Sequence, residues 1–186
     1  MIKLPLSGCD RELRELAPED ADELFGVVDG NREHLRQWLP WLDRNTRREH
    51  SLAFIESTVE QRKAGKGFVC GVIERGRIVG ICGFHPIEPP GDVAMIGYWL
   101  AEDATRKGLV TEGVAVLLEH GFRHMGIRRI EIPVATGNER SQAVCIRLGL
   151  NKAPTRPRAE ELYGVCVDHI PFFIEADEWK ARSSRP

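Results

Sequence analysis

A basic turn at the head of a helix is the first place where this sequence offers chemistry. Met95-Ile-Gly-Tyr-Trp-Leu100 has the apolar character of a strand, and the stretch after it ends in Arg106-Lys107. From Gly108 onward Val110, Val114, Leu117, Leu118, Phe122 and Met125 recur at helical spacing. A helix N-terminus presents unpaired N–H groups and about half a positive charge. Gly108 lets the backbone approach a ligand closely, and Arg106 and Lys107 add side-chain cations, so the unit suits a pyrophosphate. Two other constellations carry less. His120 and His124 have the spacing of two zinc ligands on one helix, but Gly121 stands where the H-E-x-x-H pattern needs glutamate, and no metal is expected. Cys166 and His169, three apart on an extended run, point to opposite faces and make no thiol–imidazole dyad.

The elements that must position this unit are readable in order. Glu12–Leu16 alternates as a strand, and Pro18 with Glu19 and Asp20 opens a helix to about Asp29 with Ala21, Leu24, Phe25 and Val28 on one face. A short helical piece follows within Asn31–Leu42, stopped by Pro40 and carrying Trp38 and Trp41. Residues 48–64 read as a helix with Leu52, Phe54, Ile55 and Val59 inward, ended by Gly65 and Gly67. Strands are expected at 68–74, 78–85 and 93–100, the first two joined by Arg75-Gly76 and the last two by a loop with Pro86 and Pro89-Pro90-Gly91. After the helix of about 108–125 come a strand at 128–134, a helix at 139–148 stopped by Gly149, and two strand-like runs within 162–175. Residues 180–186 read as a frayed tail.

Composition bounds the rest. The 186 residues, 42% hydrophobic, suit a single domain that buries roughly 70% of its unfolded surface. The net charge of −2 argues against a protein that binds nucleic acid by neutralising phosphates, and Arg47-Arg48, Arg128-Arg129 and Arg156-Pro-Arg158 read as solvated faces. The five cysteines, Cys9, Cys70, Cys82, Cys145 and Cys166, contain no C-x-x-C pair and read as small buried hydrophobes of a reducing compartment. With no apolar leader after Met1 and no apolar run of about 18 residues, a cytoplasmic location without membrane contact is expected.

From Leu13 to Phe172 the chain resembles the GCN5-related N-acetyltransferase (GNAT) superfamily, and within it the group of ribosomal-protein alanine/serine N-acetyltransferases. Leu13-Arg-Glu-Leu-Ala-Pro-Glu-Asp-Ala21 is similar to that group's opening strand and helix, and Asn31-Arg-Glu-His-Leu-Arg-Gln-Trp-Leu-Pro-Trp41 to its substrate-side helices. Arg106-Lys-Gly-Leu-Val-Thr-Glu112 resembles the acetyl-CoA pyrophosphate loop, and Asn138-Glu-Arg-Ser141 with Ala143–Leu150 the helix flanking the CoA arm. The loop departs from the family pattern at Thr105, Arg106 and Val110, which predicts looser cofactor binding.

The resemblance implies an α/β fold, a mostly antiparallel sheet of about six to seven strands flanked by helices and splayed into an acetyl-CoA cleft. It implies transfer of acetyl from acetyl-CoA to a protein N-terminal amine or a small amine. A catalytically silent module of the same fold is the alternative from another class, and a homodimer is one assembly that the group uses. Glu160 takes the place of the group's water-relayed base, with Glu161 as its substitute. Ser141 takes that of the proton donor to the thiolate, with Tyr163 as substitute. Trp99, Leu100, Arg106, Lys107, Gly108, Leu109, Val110, Thr111, Asn138 and Ser141 are the expected cofactor contacts, backbone N–H groups near Trp99 and Leu100 being the oxyanion donors. Asn31, Leu35, Trp38 and Trp41 are the expected acceptor contacts. The chemistry is undemanding for such an acceptor: an α-amine is roughly 15–20% neutral at pH 7, against about 0.04% for a lysine.

Overall fold

In the computed structural model, which describes residues 1–8, 10–88 and 91–183, alternating and helical patterns build one sheet with helices on both faces. The strands are β1 (Lys3–Pro5), β2 (Arg11–Arg14), β3 (Val69–Glu74), β4 (Arg77–Phe84), β5 (Val93–Leu100), β6 (Arg129–Ala135), β7 (Asn151–Lys152), β8 (Arg156–Leu162) and β9 (Val165–Glu175). The helices are α1 (Ala21–Asp29), α2 (Arg32–Arg36), α3 (Arg48–Lys63), α4 (Leu109–His124), α5 (Glu139–Arg147) and α6 (Ala176–Ser183). Strand order is β1-β2-β3-β4-β5-β6-β9-β7, with β8 paired to β9.

The two halves of the sheet meet at β5 and β6, the parallel pair, and there the ladder is short. Val93, Ala94 and Met95 pair with Arg129, Ile130 and Glu131, while Ile96–Leu100 continue against β4 alone. Beyond Met95 the strands therefore fork. Pro133 fits this break: the β6–β9 ladder turns its ring nitrogen toward the fork, where no β5 carbonyl needs a donor.

Helix α4 covers one face of the sheet. Val114, Leu117, Leu118 and Phe122 are buried as the spacing predicts, joined by Leu109, and pack in one core with Cys82, Phe84, Ile96 and Ile130. On the other face Leu24 of α1 and Ile55 of α3 pack with Ile73, Ile78 and Ile81. The inner face of α3 differs from the expectation: Ser51, Ile55 and Thr58 are buried, while Phe54 stays 37% exposed.

Several expected boundaries change. Leu162–Glu175 is not two runs of one region: Leu162 closes β8, Tyr163-Gly164 turns the chain with φ of 52° and 86°, and β9 runs unbroken. Strands β1, β7 and β8 were not anticipated, because each is short or polar and β8 has no apolar alternation. The expected tail is helical through Ser183, and residues 184–186 lie outside the described residues, as do Cys9 and Pro89-Pro90. Cys70, Cys82 and Cys145 are buried as expected, but Cys166 is exposed near the β8–β9 turn. No helix of the described residues is long and apolar enough to cross a membrane.

The hairpin turn is fastened across the molecule by its tyrosine. The Tyr163 hydroxyl donates to the Leu39 carbonyl at 2.6 Å and accepts from the Leu42 N–H at 3.2 Å, while the Arg36 guanidinium lies 3.6 Å above its ring. Tyr163 is thus a clamp with its proton already committed, which removes it as a substitute proton donor. Tyr163→Phe strands a half-buried N–H and C=O, so it is expected to cost about 1–2 kcal/mol and lower Tm by about 2–8 °C. Thermal unfolding checks the loss, and kcat measured well below Tm should be unchanged.

Candidate active site

The register sorts the candidates onto two sides of the fork. His85, Gly97 and Trp99 share one face with Ala135, His169 and Glu160, toward α1–α3; Tyr98 lies on the opposite face, toward α4 and α5.

On the α4 side, Gly108 is the residue that caps α4, with φ of 82°, a left-handed conformation that favours glycine, and it offers no side-chain cap to the helix behind it. Arg106 is exposed with φ of 65°. Lys107 is not a free cation: its ammonium lies 2.9 Å from Glu74, which Arg11 also holds, and these two partners, Lys107 first, draw the Glu74 carboxyl below its usual range. Leu109 is buried and Val110 half-buried, so they offer backbone N–H groups, not side chains. Thr111 accepts a hydrogen bond at 3.0 Å from Arg147 of α5, which places an unanticipated guanidinium beside the first turn of α4. A left-handed glycine, an uncapped helix and Arg147 beside its first turn, with the exposed Arg106 two residues before the glycine, fit a pyrophosphate. Arg147→Ala is expected to raise KM for acetyl-CoA about three- to tenfold with kcat unchanged, as steady-state kinetics would show, because the contact binds ground and transition states alike.

Asn138 caps α5, its Oδ1 accepting from the Ser141 N–H at 3.1 Å, and so fixes the first turn that carries Ser141. Across from it, Tyr98 Oη lies 2.8 Å from Ser141 Oγ, and burial pushes the phenol well above its usual range, so it keeps its proton. Tyr98 was missed in sequence reasoning; the signal available was a phenol on the inward register of β5, between Ile96 and Leu100. The same register corrects the oxyanion donors. The β4–β5 ladder takes up alternate residues, with His85 N–H bonded to Met95 and Ala101 N–H to Val79, so the Trp99 N–H turns to β4 and the Leu100 N–H faces the fork.

On the other face, Glu160 is half-buried and lies ahead of the last strand as expected, within β8 and not in a loop. A bulge between Arg156 and Glu160 contains Arg158 at φ of 51°, and the Arg158 N–H donates to Asp168 at 2.8 Å. Glu160 Oε2 lies 3.4 Å from His169 Nε2. His85 is near enough to feel the Glu160 charge; desolvation lowers its imidazole below the ordinary value while Glu160 acts the other way, and the solvent that still reaches the ring limits the shift. A side chain at Gly97 would strike His85, since its Cβ would fall 2.7 Å from Nε2. Glu161 alternates to the outer side of β8, beside an open recess of about 490 Å3 lined by Pro40, Trp41, Asp43, Arg44 and Tyr163.

Of the expected acceptor contacts, two are scaffold. Asn31 spends its amide on the Val27 carbonyl at 2.8 Å and the Glu102 N–H at 2.9 Å, and Leu35 is buried with Val28 and Leu42. Trp41 packs against Trp99 with ring centroids 6.2 Å apart, and the Trp38 ring reaches the Gly137 turn between β6 and α5, so both remain at the edge of the fork. The His120 and His124 rings lie tilted with centroids 4.9 Å apart, with His120 also edge-on to Phe68, and no group of three metal-ligating side chains occurs among the described residues. Arg48, Arg128, Arg129 and Arg156 are ion-paired with carboxylates. Burial pushes the Cys70 and Cys145 thiols up to about 12, leaving them inert near neutral pH.

A forked sheet with an uncapped helix at its fork suits a pyrophosphate-bearing acyl donor, and comparison with known proteins supplies the class. Residues 11–151 match the acetyltransferase (GNAT) domain family, and the chain belongs to that family. It is 25% identical over 138 residues to the ribosomal-protein-serine acetyltransferase of Escherichia coli (strain K12), covering 74% of this chain and 77% of that one. It superimposes on RimL, an α-N-acetyltransferase of ribosomal protein L7/L12 solved with coenzyme A, with a TM-score of 0.88 and 25% identity over 94% of this chain and 98% of RimL. The microcin C7 self-immunity acetyltransferase MccE, solved with acetyl-CoA and AMP, gives a TM-score of 0.85 and 25% identity, covering 90% of this chain and 93% of MccE. The chain is an acetyl-CoA-dependent N-acetyltransferase, and the silent-module alternative gives way to that reading.

Proposed function

We propose that this enzyme acetylates the α-amine of a protein N-terminus, with a ribosomal-type protein as acceptor. The observation that carries the proposal is the division of labour across the fork: the hydroxyls of Ser141 and Tyr98 stand on one face and the Glu160 carboxylate on the other. The names of RimL and the Escherichia coli relative supply the acceptor class.

Bound acetyl-CoA supplies an activated acyl carbon and a thiolate leaving group. Gly108, Arg106 and Arg147 hold its pyrophosphate, and Asn138 orders the helix beside its arm. The Leu100 N–H faces the fork, where a carbonyl oxygen gaining charge finds a donor. As the amine nitrogen bonds to the acyl carbon, Glu160 takes the proton it sheds, directly or through water; as the carbon–sulfur bond breaks, Ser141 gives a proton to sulfur and regains one from solvent. A small-molecule amine is the second reading, supported by the Trp41–Trp99 edge and the likeness to MccE.

Release of the CoA thiol, followed with a panel of N-terminal peptides and small amines, tests the proposal. Turnover dependent on free α-amine peptides supports it; release only with small amines selects the second reading, and no acceptor-dependent release with any member overturns both.

A further inference from the structure

Resting on the reading of Glu160 as the base, we propose that His169 is the second half of an acceptor-amine seat that selects primary over secondary amines. The His169 side chain is 13% exposed, and its Nε2 is a buried polar atom with no hydrogen-bond partner among the described residues. The Glu160 carboxylate 3.4 Å away does not form a hydrogen bond with it. A buried, unsatisfied polar nitrogen costs stability, commonly about 1–3 kcal/mol, and calls for a partner that the chain itself does not provide.

The surroundings define that partner. His169 pairs with Ala135 at the end of β6, on the face of the fork that also carries Gly97, Trp99 and His85. The proposed seat uses the Nδ1–H tautomer of the imidazole, whose Nε2 presents a lone pair beside a carboxylate that only accepts, so that two acceptors stand side by side. A neutral primary amine has two N–H bonds and one lone pair. With one N–H on Glu160 Oε2 and the other on His169 Nε2, its lone pair is left for the acyl carbon. When the carbon–nitrogen bond has formed, the N–H on Glu160 passes its proton to the carboxylate, and the N–H on His169 remains as the amide hydrogen. A secondary amine has a single N–H, cannot satisfy both acceptors, and leaves His169 unpaired. Two-point seating thereby discriminates by substitution at nitrogen, a distinction that a lone carboxylate does not make.

The test compares an alanine-initiated peptide with the same peptide bearing N-methylalanine, using the wild-type enzyme, His169→Phe and His169→Gln. The wild type should prefer the primary amine at least tenfold in kcat/KM. His169→Phe should lower kcat/KM for the primary amine at least tenfold and that for the N-methyl peptide by less than twofold, collapsing the preference, with KM for acetyl-CoA unchanged. His169→Gln, which restores an accepting oxygen, should recover most of the preference. Equal losses with both peptides, or an intact preference in His169→Phe, would overturn the proposal while leaving the enzyme's activity toward amines standing. Wild-type rates in Glu160→Gln would instead remove the base reading on which the seat rests.

Discussion

Glu160→Gln is expected to lower kcat for an α-amine peptide about 100-fold at pH 7 while leaving KM for acetyl-CoA within twofold. The glutamine keeps the volume and one accepting oxygen but cannot take a proton, so the loss isolates base catalysis, whose usual size is roughly 10²–10⁴. The proposed CoA contacts lie across the fork on α4 and α5, which is why cofactor affinity should not follow. The deficit should also shrink as pH rises. An α-amine is roughly 15–20% neutral at pH 7 and mostly neutral by about pH 9, and a nucleophile that arrives without its extra proton asks less of the protein. Steady-state rates between pH 6.5 and 9 check both points, and a variant with wild-type kcat at pH 7 removes Glu160 from the mechanism. A uniform loss across that range, with KM for acetyl-CoA raised in step, points instead to a disturbed hairpin.

The parts of this site that the sequence discloses are those coded locally. Gly108 with its basic neighbours, the α4 stripe from Val114 to Phe122 and the Asn138 cap each lie within one element, and periodicity or capping chemistry is enough to place them. The parts that stay hidden depend on pairs far apart in the chain. Arg147 meets Thr111 across 36 residues, Tyr163 meets Leu39 across 124, and Tyr98 meets Ser141 across 43. Register hides as much as distance does. Nothing in Arg156-Pro-Arg-Ala-Glu-Glu-Leu162 alternates, so neither β8 nor the bulge that turns Glu160 toward His169 can be read from it. Asn31 shows the converse: its family-like segment made it an expected acceptor contact, while the structure uses its amide to join α1 to the β5–α4 loop.

Ser141→Ala carries the second large effect, an expected fall in kcat of about 30- to 100-fold with acetyl-CoA affinity little changed, since in the proposed mechanism the departing thiolate loses its proton source. Tyr98 decides how that source is aimed. Burial keeps the phenol protonated, and a serine oxygen can accept while its own hydrogen donates elsewhere. With Tyr98 as the donor in this pair, the serine hydrogen is left free for the fork. Tyr98→Phe releases that constraint, and kcat should fall about three- to tenfold, less than in Ser141→Ala because the donor itself remains. The double variant separates action through Ser141 from plain packing. If Tyr98 works only by orienting Ser141, then once Ser141 is alanine the further change to phenylalanine costs nothing, and the double variant turns over at the Ser141→Ala rate. Losses that multiply would instead make Tyr98 an independent contributor, through the packing of β5 against α5.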